Sequence, residues 1–491
     1  MIEPTTGASA SLAPVELQAH IAGWKCPGGG VEIRNPADTR ELVAAAPSLG
    51  VDALDVAIDV ANDAAPRWRI TSVADRTAVL ARAADEMMSR ADEIATAMTR
   101  EMGKLLTESQ AEVRRSADIL RYFSQAPKLL DGRTFPLGGS GESAFTIRVP
   151  LGVVGLITPW NFPLAIPTWK TAAALAFGNA AVLKPSELSP WSAVLLVECL
   201  LDAGLPAEVL GLVPGAGSLL GPALVDSPLV AGISFTGSTA AGRQVAQRAA
   251  RAGTATQCEM GGRNAVVVLA DADLGDAVRT IVAAGFGTTG QRCTASSRVI
   301  VERPIAAELA ERLVAATCAL SVGPGLDRDS DVGPLVGDAQ RTAVLDALER
   351  ARAEGTDVLC GGRRLDDGPL AHGYFMSPAV TRGPAESWFA GHEVFGPVVS
   401  LFEARDYDEA VRLNNAVDYG LTAAIHTRSL EHAMRFVHES ETGMVHVNRP
   451  TVGAEPHVPF GGAGASSIGP RELGGAHEFF TTSRSAHVRW M

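Results

Sequence analysis

Between residues 153 and 252 the sequence alternates short apolar runs with amphipathic segments, and this alternation constrains the fold more than any other feature. The runs predict strands at 153–157, 180–183, 209–213 and 230–235, and the segments between and after them predict helices at 166–176, 190–203, 217–225 and 240–252. Such a rhythm predicts a parallel, doubly wound sheet with helices on both faces. It starts again at Ala265, so we expect a second α/β domain, with the boundary near residue 260.

The segments outside this rhythm predict further helices and one edge strand. Apolar residues from Val51 onward recur at helical spacing, and Asp75 is the predicted N-cap of a long helix that ends near Gly103. A third helix is expected over about 105–124. Residues 134–149 are Gly-rich and then alternate polar with apolar side chains, which predicts a hairpin or edge strand that serves as a domain connection or an oligomer contact.

Composition and charge exclude several classes of partner. The chain of 491 residues is 46% hydrophobic and 20% charged, with a net charge of −13, which argues against nucleic acid and anionic membranes as partners. No uninterrupted run of about 18 apolar residues is present, and the N-terminus lacks a basic-then-apolar signal pattern. Six widely spaced cysteines without a CxxC pair indicate reduced thiols and a cytoplasmic location. The ten histidines predict no metal site.

Glu259 and Cys293 bracket a stretch with the residue types of covalent catalysis. Cys293 lies in the Gly-containing loop Gly-Gln-Arg-Cys-Thr, where a thiol can be exposed enough to attack a substrate. A carboxylate such as Glu259 could activate water against the adduct that the thiol forms. A lone cysteine is more often a small core residue, so the pair by itself leaves both readings open.

Two loops that follow predicted strands carry polar residues suited to a nucleotide. Gly237 and Ser238 open a helix whose N-terminus favours a diphosphate, although a purely structural turn would look similar. Lys184 and Glu187 lie at the carboxyl end of the strand 180–183, where doubly wound folds bind ligands, and could hold the hydroxyls of an adenosine ribose. A salt-bridged surface pair is the alternative there.

Asn161 is held between Pro159 and Pro163 after the strand 153–157. A side-chain amide fixed in this way is a donor suited to stabilising an oxyanion. An Asn that only satisfies its own loop backbone would look the same.

Read together, seven motifs resemble the aldehyde dehydrogenase superfamily over essentially the whole chain. In chain order they are Pro-Trp-Asn-Phe-Pro (159–163), Lys-Pro-Ser-Glu (184–187), Phe-Thr-Gly-Ser-Thr (235–239), Glu-Met-Gly-Gly-Arg-Asn (259–264), Gly-Gln-Arg-Cys-Thr (290–294), Glu-Val-Phe-Gly-Pro (393–397) and Pro-Phe-Gly-Gly (459–462). Chance agreement of seven motifs in order is negligible.

The resemblance implies an NAD(P)-dependent oxidation of an aldehyde to a carboxylic acid. Cys293 is then the nucleophile that forms a thiohemiacetal and a thioester, Asn161 stabilises the oxyanion, and Glu259 activates the hydrolytic water. The implied cofactor is NAD, with NADP as an alternative, and its expected contacts are Trp160, Lys184, Ser186, Glu187, Gly237, Ser238, Gly261, Glu393 and Phe395. Glu187 favours NAD, because a carboxylate near the ribose would repel the phosphate of NADP.

The resemblance also implies a domain organisation. The expected architecture is α/β, with two doubly wound, Rossmann-like domains and a small β oligomerisation domain. Residues 1–133 and 153–259 are expected to form the cofactor-binding domain, 260–458 the catalytic domain, and 134–152 with 459–491 the oligomerisation segment, in which the hairpin joins the C-terminal strand. A homodimer or homotetramer is implied.

Three positions depart from the commoner family pattern. Gly464 stands where Lys is common, Ser467 where Gly is frequent, and Arg263 where Lys is commoner. We expect none of them to touch the chemical roles, and the first two to reshape the substrate mouth or an oligomer contact.

The substrate stays open among several small aldehydes. The C-terminal motifs resemble most those of dehydrogenases of 2,5-dioxopentanoate, a semialdehyde whose dianionic product would favour a cationic residue such as Arg449. Benzaldehyde- or vanillin-type enzymes are the alternative, and would want an apolar funnel. A coenzyme A-acylating enzyme, against which Glu259 argues, and a catalytically silent binding protein are the other classes.

Overall fold

The structure is a computed structural model that describes residues 13–21, 24–27 and 30–490. The predicted lack of a signal pattern at the N-terminus and the predicted free thiol of Cys26 concern residues 1–12 and a side chain that lie outside this description. Among the described residues, no helix combines the length and hydropathy of a membrane span.

The chain begins with short strands and then forms a run of four helices. The strands are β1 (Val15–Glu16), β2 (Gln18–Ile21), β3 (Trp24–Pro27), β4 (Val31–Asn35) and β5 (Asp38–Ala46). The helices are α1 (Val51–Ile70), α2 (Val73–Ser89), α3 (Ala91–Met102) and α4 (Leu106–Phe123).

The single long helix predicted from Asp75 to Gly103 is wrong in two respects. Its N-cap is Ser72, whose Oγ accepts a hydrogen bond from Asp75 N at 3.1 Å and donates one to Asp75 Oδ2 at 2.6 Å. A break at Arg90 then separates α2 from α3. The predicted end is confirmed, because Gly103 adopts φ 91°, a left-handed conformation that glycine takes without a Cβ penalty.

The middle of the chain follows the predicted alternation of strands and helices. Its elements are β6 (Thr134–Pro136), β7 (Glu142–Pro150), β8 (Val153–Ile157), α5 (Ala165–Ala176), β9 (Ala180–Lys184), α6 (Trp191–Asp202), β10 (Leu210–Leu212), α7 (Gly217–Asp226), β11 (Val230–Thr236), α8 (Thr239–Ala252) and β12 (Ala255–Glu259).

A second alternation follows and leads into a C-terminal segment of very short strands. The elements are β13 (Asn264–Val268), α9 (Leu274–Phe286), β14 (Ser296–Glu302), α10 (Arg303–Cys318), α11 (Asp338–Ala353), β15 (Asp357–Cys360), β16 (Ala379–Arg382), α12 (Trp388–Gly391), β17 (Val398–Ala404), α13 (Tyr407–Asn415), β18 (Tyr419–Gly420), β19 (Thr422–His426), α14 (Leu430–Glu439) and β20 (Met444–Val447). The C-terminal elements are β21 (Pro459–Phe460), β22 (Ala463–Gly464), β23 (Ser467–Ile468), β24 (Glu472–Leu473), α15 (Ala476–Phe480) and β25 (Thr481–Arg489).

The two predicted doubly wound sheets are present. The first has eight strands in the order β23-β12-β11-β8-β9-β10-β2-β3, and its five central strands from β12 to β10 are parallel. The second has seven strands in the order β15-β16-β17-β14-β13-β19-β20, with only β15 antiparallel to its neighbour. The antiparallel strands β23, β2 and β3 at the ends of the first sheet were not predicted, because strands this short carry no clear period.

A small antiparallel sheet joins distant parts of the chain. Its order is β25-β7-β6, and β25 pairs with β7 along its whole length, from Thr481 opposite Pro150 to Arg489 opposite Glu142. The predicted hairpin therefore pairs with the C-terminal strand. The α/β fold class is confirmed: two Rossmann-like sheets and one small β-sheet.

Candidate functional site

A cavity of about 310 Å³ lies at the carboxyl ends of β8, β11 and β12. These strands are neighbours and parallel, so the loops that follow them meet at one edge of the sheet, where doubly wound folds bind ligands. The cavity brings together most of the predicted site residues: Trp160, Asn161, Gly237, Ser238, Gly261, Cys293, Glu393 and Phe395.

The other predicted cofactor residues lie at and just after the carboxyl end of β9, the next strand along the same edge. Lys184 is buried, and its Nζ lies 3.2 Å from the position that a Cβ on Gly217 would take. Burial lowers the pKa of Lys184, and the negative charge of Glu187 partly offsets this by raising it. Glu187 is exposed. Ser186 Oγ accepts a hydrogen bond from Leu188 N at 3.2 Å and so stabilises its own turn. These residues extend the polar edge beyond the cavity lining.

The loop that carries Cys293 follows a strained turn. Thr288, Thr289 and Gly290 adopt φ values of 52°, 57° and 67°, and two successive non-glycine residues in the left-handed region are unusual. Glu108 from α4 stabilises the turn, since its Oε1 accepts from Thr288 N at 2.6 Å. A Cβ on Gly290 would lie 2.1 Å from a backbone oxygen, so no side chain fits there. The turn fixes the direction in which the loop enters the cavity.

Cys293 is partly buried at the wall of the cavity. Its backbone oxygen accepts a hydrogen bond from Asn264 Nδ2 at 2.7 Å, which attaches the loop to the start of β13. Burial raises the pKa of the thiol to about 12, and the charges of Glu259, Glu393 and Glu472 act in the same direction. The free protein therefore holds Cys293 as a neutral thiol near pH 7.

Asn161 is set in place by a buried ion pair that the sequence did not reveal. Its Nδ2 donates to the backbone oxygen of Gln291 at 2.9 Å, and its own backbone oxygen accepts from Lys104 Nζ at 2.8 Å. Lys104 also pairs with Glu112 at 2.5 Å, and Glu112 Oε1 accepts from the first amides of α5, Leu164 N and Ala165 N. One hydrogen of the Asn161 amide remains available to a ligand.

Glu259 ends β12 and is buried beside the C-terminal segment. It lies opposite Ser467 in the antiparallel pairing of β12 with β23, and Ser467 Oγ donates a hydrogen bond to Glu259 Oε2 at 2.5 Å. Burial and the charge of Glu472 raise the pKa of Glu259 well above its ordinary value. The expectation that none of the sequence departures touches a chemical role is therefore wrong for Ser467, because the register of two short strands puts its hydroxyl on the carboxylate.

The other two departures have structural reasons. Gly464 has φ 57°, and a Cβ there would lie 2.4 Å from the backbone oxygen of Asp418. Arg263 is fully buried and donates to the backbone oxygens of Phe389, Ala390 and Ser297 at 2.9, 3.3 and 3.2 Å. A lysine ammonium could not reach three carbonyls in the planar geometry of a guanidinium.

A second buried ion pair, also missed by sequence reasoning, lies next to Glu259. Lys170 of α5 pairs with Glu472 and donates to Ser234 Oγ at 2.7 Å. Opposite charges from distant segments leave no local pattern, so only the fold brings them together. Close by, the rings of Trp169 and Phe460 lie 5.6 Å apart.

Glu393 and Phe395 close the other side of the cavity. Glu393 Oε1 accepts from Gly262 N at 2.8 Å, and burial raises the pKa of this carboxyl to about 7. The Phe395 ring meets the Trp160 ring edge to face at 5.5 Å. Gly261 passes so close to Glu393 that a Cβ on it would lie 2.1 Å from Oε2. Within the described ranges, no His, Cys, Asp and Glu side chains are grouped to hold a metal ion.

Comparisons with known proteins agree with this arrangement. The profile of the aldehyde dehydrogenase family matches residues 25–486. The chain is 38% identical to an alpha-ketoglutaric semialdehyde dehydrogenase of Bacillus subtilis, over 94% of this chain and 95% of that protein. It is 39% identical to a 2,5-dioxopentanoate dehydrogenase of Saccharolobus solfataricus, over 93% and 95%.

A solved structure agrees in fold as well. The betaine aldehyde dehydrogenase of Staphylococcus aureus in complex with NAD⁺ superposes with a TM-score of 0.94 at 28% identity, covering 97% of this chain and 95% of that one. The chain belongs to the aldehyde dehydrogenase family. It is an oxidoreductase that acts on aldehydes.

Proposed function

We propose that the protein oxidises a small aldehyde to a carboxylic acid with NAD⁺, through a covalent adduct on Cys293. The observation that carries this proposal is that one cavity is lined by Cys293 and Asn161 together with the turn at Gly237 and the Glu393 carboxyl group. A thiol, an amide donor and a nucleotide cradle at one edge are the parts that such an oxidation needs.

The residues present fit a dinucleotide. Ser238 caps the N-terminus of α8, a position that favours a diphosphate, and the buried Thr236 Oγ1 at the cavity edge has no protein partner. Gly261 leaves open the space next to Glu393 that a Cβ would fill. Bound NAD⁺ would supply the acceptor for the hydride of the substrate.

Each catalytic side chain has one task in this proposal. The Cys293 thiol loses its proton to solvent water, and its sulfur then attacks the aldehyde carbon, because an aldehyde lacks a leaving group and must first become tetrahedral. The remaining hydrogen of the Asn161 amide and the Cys293 backbone N–H donate to the oxyanion. After hydride loss a thioester remains on Cys293. Glu259 takes a proton from the water that hydrolyses this thioester, and the thiol is regenerated.

The substrate we propose is 2,5-dioxopentanoate or a related semialdehyde that carries a carboxylate. Two relatives bear such names. Thr451 Oγ1 donates to Thr294 O at 2.7 Å, which attaches the segment 448–458 to the loop of Cys293. That segment carries Arg449, and its Glu455 pairs with Arg115 of α4 at 3.0 Å. Cations at this segment can receive a substrate carboxylate.

An aromatic aldehyde is the second candidate. The rings of Trp169 and Phe460 lie 5.6 Å apart, and Trp169 follows Ile166 of the cavity wall by about one helical turn on α5, so the pair offers an apolar surface to a ring. NAD⁺ is the proposed cofactor over NADP⁺, because Glu187 stands exposed beside Lys184 and its carboxylate would repel a ribose phosphate.

A homo-oligomer, dimer or tetramer, is also part of this proposal. The small sheet β25-β7-β6 exposes the apolar side chains Phe145 and Ile147 on β7 and Val488 on β25. Light scattering of the purified protein tests it, and a monomer at micromolar concentration would contradict it.

A panel of aldehydes assayed with NAD⁺ and NADP⁺ separately tests the proposed function. The expected result is the largest kcat/KM for a carboxylate-bearing semialdehyde with NAD⁺, over benzaldehyde and unbranched aliphatic aldehydes, and a free acid as the product. A parallel reaction with coenzyme A separates the acylating alternative, since acyl-coenzyme A as the product would overturn hydrolysis by Glu259. Absence of NADH with every aldehyde would overturn the whole proposal.

A further inference from the structure

The hydroxyl of Ser467 stands between a backbone amide and the Glu259 carboxylate. Gly462 N donates to Ser467 Oγ at 2.6 Å, and Ser467 Oγ donates to Glu259 Oε2 at 2.5 Å. The antiparallel register of β12 with β23 places Glu259 and Ser467 directly opposite each other, so both side chains project from the same face. The contact follows from the strand pairing and not from a chance rotamer.

The direction of the amide hydrogen bond is fixed, and the direction of the second follows when the carboxylate is ionised. An amide N–H can only donate, so it occupies an acceptor site of the hydroxyl and leaves the serine proton for the carboxylate. Successive donors of this kind polarise one another. The second carboxylate oxygen is confined as well, because Gly461 lies so close that a Cβ on it would be 2.6 Å from Glu259 Oε1.

The titratable groups that face Glu259 come from three other segments. The charged groups are Lys170 on α5 with Arg471 and Glu472 at β24, and the titratable but neutral group is the Cys293 thiol of the nucleophile loop. Burial and Glu472 disfavour the ionised carboxylate, whereas the Ser467 hydrogen bond favours it ahead of the charges of Lys170 and Arg471. Unlike the charged groups, Ser467 is neutral and donates a hydrogen bond directly to the carboxylate.

We propose that Ser467 is a positioning residue, which favours the ionised form of the Glu259 carboxylate and keeps it in one orientation for the hydrolysis of the Cys293 thioester. This inference rests on the proposed function, in which Glu259 activates water. A glycine or an alanine at position 467 would offer no side-chain donor to the carboxylate. The hydrogen bond to Glu259 therefore depends on the serine that this chain has at position 467.

Three variants of Ser467 test the inference. Ser467→Ala and Ser467→Gly both remove the donor, and Ser467→Thr keeps the hydroxyl. With the proposed semialdehyde and NAD⁺, the Ala and Gly variants should lower kcat about tenfold, accumulate an acyl adduct on Cys293 in quenched mass spectra, and shift the acidic limb of kcat upward by about one pH unit. The Thr variant should keep the wild-type profile.

The outcomes separate a positioning role from a purely structural one. Ala and Gly variants with the wild-type pH profile and no added adduct would overturn the inference, even if they melt at a lower temperature. If the Ala variant does not fold, the Gly variant carries the same test. The double variant Ser467→Ala/Glu259→Gln should match Glu259→Gln alone, since Ser467 acts through Glu259.

Failure of the proposed function gives a different result. Glu259→Gln should trap the thioester in a protein that still releases its first equivalent of NADH. Wild-type turnover in Glu259→Gln would remove Glu259 as the base and overturn the proposed hydrolysis, whatever the Ser467 variants do. Trapping in Glu259→Gln with unchanged Ser467→Ala would overturn the Ser467 inference alone.

Discussion

Lys104 Nζ lies 2.8 Å from the backbone oxygen of Asn161 while it pairs with Glu112 at 2.5 Å, and both charged side chains are buried. This contact fixes the backbone of Asn161, the proposed oxyanion donor, and connects the turn between α3 and α4 to the loop after β8.

Lys104→Met should destabilise the protein and slow the reaction together. It leaves Glu112 as a buried charge without its partner, so the free energy of unfolding should fall by about 3–5 kcal/mol. It also frees the backbone of Asn161, so kcat should fall in the fraction that remains folded. Urea unfolding and steady-state rates check this, with Lys128→Met at an exposed site as the matched control. Equal stability of the two variants would contradict the structural role of the pair.

Cys293→Ala should abolish NADH formation and leave cofactor binding intact. The substitution removes the sulfur that attacks the aldehyde but no atom of the proposed nucleotide cradle. Loss of activity with an unchanged Kd for NAD⁺ by fluorescence titration is the expected result. Cys318→Ala, at an exposed cysteine outside the cavity lining, is the control and should keep full activity. Activity in the first variant would remove Cys293 from the mechanism.

Alkylation of Cys293 in the free protein should be slow at neutral pH. Because burial and three carboxylates raise its pKa to about 12, the thiolate fraction should grow about tenfold per pH unit from pH 7 to 9 without levelling. Iodoacetamide labelling of the Cys293 peptide, followed by mass spectrometry, measures this rate. Glu259→Gln removes one of the negative charges, so its Cys293 should react faster at each pH. A plateau below pH 9 in the wild-type protein would contradict the raised pKa.

Gly261→Ala should impair cofactor binding. The new methyl group would lie 2.1 Å from Glu393 Oε2, so Glu393 must leave its hydrogen bond to Gly262 N and move into the cavity. We expect the KM for NAD⁺ to rise at least tenfold, as an order-of-magnitude estimate for a displacement of about 1 Å. Gly391→Ala is the matched control, because a Cβ there meets nothing within 4 Å. Similar KM values for the two variants would show that Glu393 has room to adjust.

Arg449→Met should discriminate between substrates. If Arg449 receives the carboxylate of a semialdehyde, KM for that substrate should rise about tenfold, the loss of one charge-assisted hydrogen bond, while KM for an unbranched aliphatic aldehyde stays constant. Arg428→Met, also exposed, is the control that changes the net charge equally. A uniform change for all aldehydes would place the carboxylate contact elsewhere.

The parts of the site that could be predicted are those carried by loops after parallel strands. Asn161 and Gly237 follow strands of the first sheet and Lys184 ends one, and the rule that the carboxyl ends of parallel strands meet at one edge is enough to bring them together. The sequence alone could not place Ser467 on Glu259, since the two-residue strand β23 has no period to reveal its register.

The burial of charged residues on and between helices could not be predicted either. Lys104 and Glu112 lie in a stretch where opposite charges are common on solvent-facing surfaces, and nothing local shows that the pair is buried. The misplaced N-cap has a similar cause. Ser72 and Asp75 are both good capping residues, and their roles depend on which backbone amide each one reaches.

The pairing of β12 with β23 has a consequence for the order of events during synthesis. Glu259 and Ser467, which contact each other, are separated by 208 positions in the sequence, and Lys170 and Glu472 are separated by 302. The ribosome releases the parallel strands β8 to β12 of the first sheet well before these late partners emerge, so the nascent chain can pair those strands while its proposed base lacks its neighbours. We therefore expect a product stalled before residue 467 to lack the proposed catalytic competence.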